Sequence, residues 1–525
     1  MALVEEPRDA FATAVDRERH FRPQHVVPIS LKDIASQLPG VRLSGDDAVQ
    51  VTGVSLDSRS VLPGDLYAAL PGAHVHGAQF IRAALERGAR AVYTDSAGYA
   101  LAHDAGIAAI IADDARGQLG VVSAAVYDTA AHQPQLFGVT GTNGKTTTTF
   151  MVSSLLRALG VGMGTIGTIG ITIGDDYVPS TMTTPEAPQL HGLMARMAES
   201  NVGAAVMEVS SHSMVFQRTA GLQFAVAGFT NLSPDHLDLH GTMDAYFEAK
   251  LALFQPELVS RAVVVIDDEW GERMAQEAGV DVVTLSTDGA HRGHWSVTDV
   301  RPEGFGHVFT LTHRDGRSLS AVVGLPGRFN VSNAALALTM VLEAGYDVAA
   351  VSAAVSSNDR PLSQGVPGRM EVVNTSPTVY VDFAHNPGGL MRMLETVQTS
   401  TGRVILVFGA AGERDAIKRA SMGEIAARYA DIAIVTDDDP HTEDAASIRA
   451  QVLEGAVAER REGREVLEIF PRADAIAAAI DLAAPEDIVV IAGRGHETVQ
   501  DIAGALIDID DREEVRKAVA QSTQR

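Results

Sequence analysis

Residues 137–147 read Phe-Gly-Val-Thr-Gly-Thr-Asn-Gly-Lys-Thr-Thr, an apolar strand that runs into a glycine turn, a lysine and two hydroxyl side chains. A run typical of a helix follows. Gly141 and Gly144 permit a tight turn whose backbone N–H groups can approach phosphate oxygens, and the helix beginning near Lys145 adds the positive end of its dipole. The generic phosphate-loop pattern requires glycine where this chain has Val139, so the match is to a narrower variant. The stretch predicts a nucleotide-phosphate site within an α/β domain.

Length, charge and cysteine content limit the possible classes of protein. The chain has 525 residues, and a prior of roughly one domain per 150 residues predicts about three domains. Its 41 basic and 67 acidic side chains give a net charge of −26, which argues against non-specific binding to nucleic acid or anionic lipid. The absence of cysteine excludes disulfides, thiolate zinc sites and a cysteine nucleophile. Because the first residues are charged and no apolar run reaches about 18 residues, we expect a cytoplasmic protein without membrane insertion.

Short apolar strands alternate with helical stretches over most of the chain, which predicts an α/β fold. We expect an irregular extension over residues 1–28 and a small α/β domain over 29–133, ended by the His-Gln-Pro break before the phosphate-loop strand. A central phosphate-loop domain over 134–365 is predicted to form a mostly parallel sheet with helices on both faces. A turn-rich link then leads to a third, Rossmann-like α/β domain over 366–525.

Individual elements can be predicted inside this outline. Continuous apolar runs predict buried strands at residues 204–207, 404–408 and 488–492, among others. Asn330 is expected to open a helix that ends near Ala344.

A polar cluster, residues 208–212, follows the strand at 204–207 and reads Glu-Val-Ser-Ser-His. Polar residues at the carboxyl end of a strand face the ligand crevice of an open α/β sheet. Glu208 could hold a hard metal ion, because Mg²⁺ prefers one or two carboxylates together with phosphate oxygens and water. Ser210 and His212 could contact a substrate. The alternative is a polar loop whose serines cap the next helix.

A second cluster follows the next strand and places two aspartates and two histidines within residues 235–240. His236 is a candidate metal ligand, with Asp235 or Asp238 orienting one of its ring nitrogens. Further on, Lys250 interrupts an apolar face of helical spacing. By itself such a lysine extends its charged end to solvent.

Taken together, these motifs resemble the Mur ligase family, the ATP-dependent amide-bond ligases of peptidoglycan precursor synthesis. The resemblance covers roughly residues 50–500 and is closest to the branch that adds the third amino acid to UDP-MurNAc-L-Ala-D-Glu. The motifs that carry it are Leu56-Asp-Ser-Arg59, Pro63-Gly-Asp-Leu66, Ala69-Leu-Pro-Gly72, Thr183-Thr-Pro-Glu186, Ser210-Ser-His212, Phe329-Asn-Val-Ser-Asn-Ala334 and Gly493-Arg-Gly-His-Glu497.

The resemblance implies a set of residues for each ligand. For ATP it implies Gly141, Thr142, Asn143, Gly144, Lys145, Thr146, Thr147, Asn330, Asn333, Arg369, Asp382 and His385. For the UDP-linked substrate, held partly by the N-terminal domain, it implies Leu56, Ser58, Arg59, Thr183, Thr184, Ser210, His212 and Arg218. For Mg²⁺ it implies Thr146, Glu208, His236 and Lys250, the last carbamylated to N6-carboxylysine. Catalysis is assigned to Lys145, Glu208, His236 and Lys250.

The reaction implied is activation of a carboxylate by ATP to an acyl phosphate, followed by attack of an amine and loss of phosphate. The carboxylate and the phosphates of ATP are both negatively charged, so the site needs cations to bring them together. Lys145 and Mg²⁺ are expected to supply this positive charge. A carbamate on Lys250 would be a good hard metal ligand, whereas its ammonium would not. The motif after Asp382 departs from the family at two positions, with Asn386 and Gly388 in place of threonine and aspartate.

The incoming amino acid is expected, again by resemblance, at Arg414, Asp438, Asp439, His441, Gly493 and Glu497. Family members that add meso-diaminopimelate carry Asp-Asn-Pro-Arg, whose arginine clamps the distal carboxylate in a bidentate manner. This chain has Asp439 and His441 at the asparagine and arginine positions. A mostly neutral imidazole is a weaker carboxylate receptor, and the extra carboxylate favours a distal ammonium. We therefore expect L-lysine or L-ornithine, with meso-diaminopimelate as the alternative.

Other functions stay open at this point. A folylpolyglutamate synthetase shares the nucleotide-binding core, but the domain before the phosphate loop counts against it because its substrate lacks UDP. A nucleotide-binding switch or inactive scaffold is disfavoured because the chain has Lys145, Thr146, Glu208, His236 and Lys250 in place. The expected partners are UDP-MurNAc-L-Ala-D-Glu, ATP and a free diamino acid, with no nucleic acid, and the protein is expected to be a monomer.

Overall fold

The computed structural model of the chain describes residues 14–72, 74–104, 106–180, 182–398, 402–413 and 415–522. Three sheets with helices packed on them form its main cores, which confirms the predicted three-domain α/β fold. We name the N-terminal, central and C-terminal domains after these sheets. Within the described ranges, no helix is both long and apolar enough to cross a membrane.

The N-terminal domain has a five-stranded sheet in the order β2-β7-β6-β5-β4, parallel except for β2. The strands of this domain are β1 (Ile29–Ser30), β2 (Val41–Ser44), β3 (Gln50–Val51), β4 (Gly53–Ser55), β5 (Asp65–Ala69), β6 (Ala91–Thr94) and β7 (Ala109–Ala112). Strands β1 and β3 pair with each other in a separate antiparallel sheet. The helices of this part are α1 (Ala14–Phe21), α2 (Leu31–Ala35), α3 (Ile81–Glu86), α4 (Ser96–Asp104), α5 (Leu119–Tyr127) and α6 (Thr129–His132).

The start of the described chain is helical and tied to the domains that follow it. In α1, Glu18 and Phe21 are buried, and the guanidinium of Arg22 contacts Glu18 at 3.2 Å and Asp65 at 2.5 Å. The prediction of an irregular extension over residues 1–28 is therefore wrong for α1, and residues 1–13 lie outside the described ranges. Local patterning missed this short polar helix because a long-range ion pair, rather than an apolar stripe, holds it.

The central domain has an 11-stranded sheet in the order β11-β10-β9-β12-β8-β13-β14-β15-β16-β17-β18. Its strands are β8 (Gln135–Thr140), β9 (Met163–Gly167), β10 (Gly170–Ile173), β11 (Asp176–Val178), β12 (Ala204–Glu208), β13 (Phe224–Phe229), β14 (Ala262–Val265), β15 (Val282–Ser286), β16 (Trp295–Glu303), β17 (Gly306–His313) and β18 (Ser318–Val323). The strands from β9 to β16 in this order are parallel, and antiparallel strands flank them at both edges.

The helices of the central domain cover both faces of its sheet. They are α7 (Lys145–Ala158), α8 (Ala187–Glu199), α9 (Ser211–Val215), α10 (Leu237–His240), α11 (Met243–Leu251), α12 (Glu269–Glu277), α13 (Arg328–Glu343) and α14 (Val348–Val355). Successive residues of β8 point to opposite faces, so Phe137 packs in one core and Leu136 in the other. Burial on both faces explains why these strands are continuous apolar runs.

Helix α13 begins earlier than predicted. Asn330 was expected to open it, but the helix begins at Arg328 with Gly327 as its N-cap, so that prediction is wrong. Asn330 lies in the first turn, where its side-chain amide donates to the Pro326 carbonyl at 2.7 Å. Gly327 supplies the positive φ of 92° that the entry into the helix requires.

The C-terminal domain has a six-stranded sheet in the order β19-β20-β24-β21-β22-β23, parallel except for β19. Its strands are β19 (Glu371–Thr375), β20 (Thr378–Asp382), β21 (Val404–Phe408), β22 (Ile432–Val435), β23 (Glu465–Glu468), β24 (Ile488–Ala492), β25 (Val499–Ile502) and β26 (Ala505–Asp508). Its helices are α15 (Pro387–Val397), α16 (Lys418–Tyr429), α17 (Ala445–Ala458), α18 (Arg472–Leu482) and α19 (Asp511–Ser522). Strands β25 and β26 form a separate hairpin.

Candidate active site

The carboxyl ends of parallel strands from the central and C-terminal domains open onto one cleft of about 970 Å³. Most of the residues predicted for ATP, substrate and amino acid line it together. These are Thr142, Asn143, Gly144, Lys145, Thr146, Thr147, Thr183, Thr184, Glu208, Ser210, His212, Arg218, His236, Asn330, Asn333, Arg369, Asp382, His385, Asp438, Asp439, His441, Gly493 and Glu497.

A few predicted residues lie elsewhere. Leu56, Ser58 and Arg59 follow β4 in the N-terminal domain and do not line the cleft; Arg59 is exposed and pairs with Asp57 at 2.8 Å. Arg414 lies outside the described ranges.

The phosphate loop joins β8 to α7, and glycines determine its shape. Gly141 and Gly144 have φ values of 139° and 91°, and a Cβ on Gly144 would lie 2.4 Å from Asn333 Oδ1. Lys145 folds back over the loop and donates to the carbonyls of Gly141 and Thr142 at 3.1 and 2.9 Å. Its ammonium is thereby held where the outer phosphates of a nucleotide would lie.

Glu208 organises the cleft beside the phosphate loop. Its carboxylate accepts hydrogen bonds from Thr146 Oγ1 at 3.0 Å and from the Thr168 backbone N–H at 2.8 Å. Arg369, from the C-terminal domain, donates to the same Thr146 hydroxyl at 3.3 Å. A carboxylate, a hydroxyl and a guanidinium therefore converge at the first turn of α7. Carboxylate and hydroxyl oxygens are a donor set that suits Mg²⁺ next to phosphate.

His236 follows β13 on the central-domain side of the cleft and has a left-handed backbone conformation, with φ 53°. Its ring centroid is 5.0 Å from that of His212, and its Nε2 is 3.8 Å from Asp235 Oδ2. Burial, together with the neighbouring His212 and Lys145, lowers the pKa of His236 well below its usual value, although Asp235 opposes this. The imidazole is therefore neutral at pH 7, which is the form that binds metals.

Lys250 of α11 is buried behind the phosphate loop. Its Nζ donates to the Gly141 carbonyl at 2.8 Å and lies 4.5 Å from the centre of the Tyr246 ring. Burial and the nearby Lys145 lower the pKa of Lys250 well below its ordinary value. The helical pattern alone predicted that the charged end of Lys250 reaches solvent. That prediction is wrong, because only 1% of Lys250 is exposed.

Two compact groups of possible metal ligands occur in the described part of the chain. In each, the ligand atoms all lie within 4.8 Å of one another; they are Asp267 with Asp288 and His291, and Asp438 with Asp439 and Glu497. The predicted metal residues belong to neither group.

The predicted substrate residues of the central domain form a hydrogen-bonded edge of the cleft. Thr184 Oγ1 donates to the Glu208 carbonyl at 2.8 Å and to Ser210 Oγ at 3.3 Å. Ser210 also caps α9 by accepting from the Ser213 N–H at 3.1 Å, as the alternative interpretation of this loop proposed. Arg218 donates to the Thr184 carbonyl at 3.0 Å and pairs with Glu186 at 2.9 Å.

On the C-terminal side, the loop after β20 carries an aromatic and cationic stack. The Arg369 guanidinium lies 4.3 Å from the centre of the Phe383 ring, and His385 lies 4.7 Å from the same ring. Asp382 accepts from the backbone N–H groups of Met370 and Ala384 at 2.6 and 2.8 Å. Asp382 therefore orders the two segments that face the phosphate loop.

Acidic side chains and a buried arginine form the pocket predicted for the amino acid. Asp439 pairs with the fully buried Arg494 at 2.5 Å. His441 Nδ1 lies 3.1 Å from Asp501 Oδ2 on the β25–β26 hairpin. Burial and the neighbouring Asp438 raise the pKa of Glu497 to about 8.

Several residues of the site were not predicted. Asp267 and Asp268 line the cleft just beyond the carboxyl end of β14, and the rule that identified Glu208 at the carboxyl end of β12 would also have identified them. Lys418 and His496 also line the cleft, at the start of α16 and next to Glu497. Asp501 gave no local signal, because its partner His441 is 60 residues away in the chain.

A strand–phosphate loop–helix unit facing a second α/β domain across one cleft is an arrangement that suits an ATP-dependent ligase, and comparison with known protein families agrees. The Mur ligase family, catalytic domain, matches residues 50–136, the Mur ligase middle domain matches 139–341, and the Mur ligase, glutamate ligase domain, matches 368–495. The chain belongs to the Mur ligase family and is an ATP-dependent ligase.

Individual relatives match over nearly the whole chain. The UDP-N-acetylmuramyl-tripeptide synthetase of Leifsonia xyli subsp. xyli is 43% identical over 95% of this chain and 98% of its own. The UDP-N-acetylmuramoyl-L-alanyl-D-glutamate--2,6-diaminopimelate ligase of Streptomyces coelicolor is 41% identical with the same coverage. A solved structure of a ligase with that second name superposes with a TM-score of 0.65 at 31% identity, covering 95% of this chain and 100% of the other.

Proposed function

We propose that this ligase adds a diamino acid, as the third residue, to UDP-MurNAc-L-Ala-D-Glu in peptidoglycan precursor synthesis. The observation that carries the proposal is the single cleft in which the phosphate loop meets the acidic pocket of the C-terminal domain. The names of the relatives above support the same substrate.

The residues of the cleft have roles that fit an acyl-phosphate mechanism. Lys145 would neutralise the outer phosphates of ATP while the D-Glu carboxylate attacks. Thr146 and Glu208 would hold Mg²⁺, with His236 and carbamylated Lys250 as further ligands, and the metal would neutralise the charge of the transferred phosphoryl group. The uncharged amine that burial favours at Lys250 is the form that reacts with carbon dioxide.

The substrate peptide would lie along the Thr184–Ser210 edge. Arg218 is paired with Glu186 and positioned by the Thr184 carbonyl, and the N–H groups of its guanidinium would donate to a carboxylate of the peptide. Arg59 and Ser58, in the N-terminal domain, would bind the UDP moiety. Closure of the domains over the Thr184–Ser210 edge would keep water from the acyl phosphate.

The charge of the amino-acid pocket favours L-lysine or L-ornithine. Asp438, Asp439 and Glu497 line it, whereas Arg494 is already engaged by Asp439 and by the Val499 carbonyl at 2.7 Å. A distal ammonium would find carboxylates, while a distal carboxylate would find no arginine at position 441. The alternative, meso-diaminopimelate, is supported by the names of several relatives at 41–42% identity.

A folylpolyglutamate-type ligase is the second candidate, and the N-terminal domain argues against it. Residues 50–136 match the Mur ligase family's catalytic domain, a region that a UDP-linked substrate needs and a folate substrate does not.

The test is phosphate release from ATP with UDP-MurNAc-L-Ala-D-Glu, comparing L-lysine, L-ornithine and meso-diaminopimelate at equal concentration. We expect release to require the UDP substrate and to be fastest with a cationic diamino acid. Lys145→Ala serves as the inactive control. Turnover with meso-diaminopimelate alone would overturn the choice of amino acid, and no dependence on the UDP substrate would overturn the proposed reaction.

A further inference from the structure

Asn386 joins the two domains that form the cleft. Its side chain is buried, with 1% exposed, and both ends of its amide are used. Oδ1 accepts from the Gly389 N–H at 2.8 Å and so caps α15. Nδ2 crosses to the central domain, where it donates to Asp235 Oδ2 at 2.9 Å and lies 3.3 Å from Asn143 Oδ1. One amide thus connects a helix of the C-terminal domain with the phosphate loop.

Asp235, the acceptor of this bond, lies at the centre of the cleft wall. It is 4% exposed, and its other oxygen accepts from the His236 N–H at 3.0 Å. Oδ2 is 3.8 Å from His236 Nε2 and 3.9 Å from His385 Nε2. A buried carboxylate is costly unless hydrogen bonds compensate it, and Asn386 supplies one from the opposite domain.

Gly388 allows α15 to approach this closely. A Cβ at Gly388 would lie 3.2 Å from Ser233 Oγ, and a Cβ at Gly389 would lie 3.5 Å from Asn143 Oδ1. A larger residue at position 388 would press on the loop that carries Asp235. The two departures from the family motif, Asn386 and Gly388, therefore belong to one interdomain contact.

We propose that Asn386 is a positioning residue that fixes the C-terminal domain on the phosphate loop in the arrangement that catalysis needs. It acts through Asn143 and Asp235 and binds no substrate. Gly388 permits the contact that Asn386 makes. The inference rests on the ligase activity but not on which amino acid is added.

The decisive variant is Asn386→Asp. Aspartate has the same size and caps helices equally well, but in its ionised form it cannot donate to Asp235 and adds a second carboxylate beside it. We expect kcat to fall about tenfold to a hundredfold, the change that loss of a hydrogen bond to a charged group predicts. We expect the Kd of a non-hydrolysable ATP analogue to change less than about threefold, because the nucleotide contacts of the phosphate loop remain. Small-angle X-ray scattering with the analogue and UDP substrate should show a more open particle than the wild type.

Two further variants separate positioning from stability. Asn386→Thr keeps a cap and one donor, and we expect it to retain most of kcat. Asp444→Ala removes the cap of α17 in the same domain, where Asp444 accepts from the Ser447 N–H at 3.1 Å, and should lower Tm without lowering kcat. The proposal would be overturned if Asn386→Asp had the kcat and the scattering of the wild type. It would also be overturned if the fall in kcat were fully explained by a smaller fraction of folded protein. An inactive wild-type enzyme would instead count against the proposed function.

Discussion

His441 is held by Asp501 through both side chain and backbone. Its Nδ1 lies 3.1 Å from Asp501 Oδ2, and its backbone N–H donates to the Asp501 carbonyl at 3.0 Å. In a neutral imidazole, donation from Nδ1 to a carboxylate leaves Nε2 as an acceptor. An acceptor suits a ligand ammonium and disfavours a ligand carboxylate. The pair therefore supports the choice of a cationic diamino acid.

The first prediction concerns conversion of amino-acid selectivity. His441→Arg alone should change the kcat/KM ratio of meso-diaminopimelate to L-lysine only modestly, because Asp501 would pair with the new guanidinium. In the double variant His441→Arg, Asp501→Ala, the new guanidinium is free to bind the distal carboxylate. The kcat/KM ratio of meso-diaminopimelate to L-lysine should then rise about tenfold or more. Asp501→Ala alone is the control. Equal ratios in the single and double arginine variants would show that Asp501 does not act on position 441.

The second prediction concerns pH. The pKa of Glu497 is raised to about 8 by burial and Asp438, so Glu497 is protonated below that pH in the free enzyme. A bound ammonium favours the carboxylate, so binding between pH 6.5 and 8 releases a proton and the KM for L-lysine should fall as pH rises, by at most about tenfold per unit. Glu497→Gln should abolish this dependence. The ionisation of free L-lysine affects both enzymes equally, so it cancels in the ratio of the wild-type KM to the Glu497→Gln KM. If this ratio did not change with pH, the prediction would be contradicted.

The sequence predicts the strands better than the contacts between distant elements. Residues 404–408 and 488–492 form β21 and β24 as predicted, because strands buried on both faces are continuous apolar runs. The phosphate loop was equally clear, since its glycines and Lys145 are adjacent in the chain. Local patterns identified these features because their physical causes are local.

The contacts that join distant segments could not be predicted in this way. Asn386 and Asp235 are 151 residues apart, and nothing in either neighbourhood indicates the other. Helix α1 was missed because its buried face depends on Arg22 meeting Asp65, 43 residues later. In each case the local sequence indicates an exposed polar residue. The residue is buried in the fold because a distant residue supplies the opposite charge or the matching hydrogen-bonding group.

The third prediction concerns Lys250. Lys250→Ala should abolish detectable ligation, because it removes the carbamate that we propose as a ligand of Mg²⁺. A short carboxylic acid should restore part of the activity, since it can place an oxygen ligand in the vacated space. Phosphate release with and without acetate measures this. Full activity of Lys250→Ala without acetate would contradict the carbamate assignment, and Lys32→Ala, at an exposed position, is the matched control.

The fourth prediction concerns stability and the buried Arg22. Its guanidinium is engaged by Glu18, Asp65 and the Val54 carbonyl, and Asp65 is 1% exposed. Arg22→Ala leaves two carboxylates buried without their cation, which should cost about 3–5 kcal/mol of unfolding free energy at pH 7.5. Burial already raises the pKa of Glu18, and loss of Arg22 raises it further. The loss of unfolding free energy should therefore be smaller at pH 5, where Glu18 takes up a proton more readily.

Differential scanning calorimetry at the two pH values measures this, read on the transition that includes the N-terminal domain. Arg17→Ala is the matched control, because Arg17 is exposed on the same helix and its loss should change the unfolding free energy by less than about 0.5 kcal/mol. If Arg22→Ala were as stable as Arg17→Ala, α1 would not be held by this ion pair. A deficit that grew at pH 5 would show that the buried carboxylates are not the source of the instability.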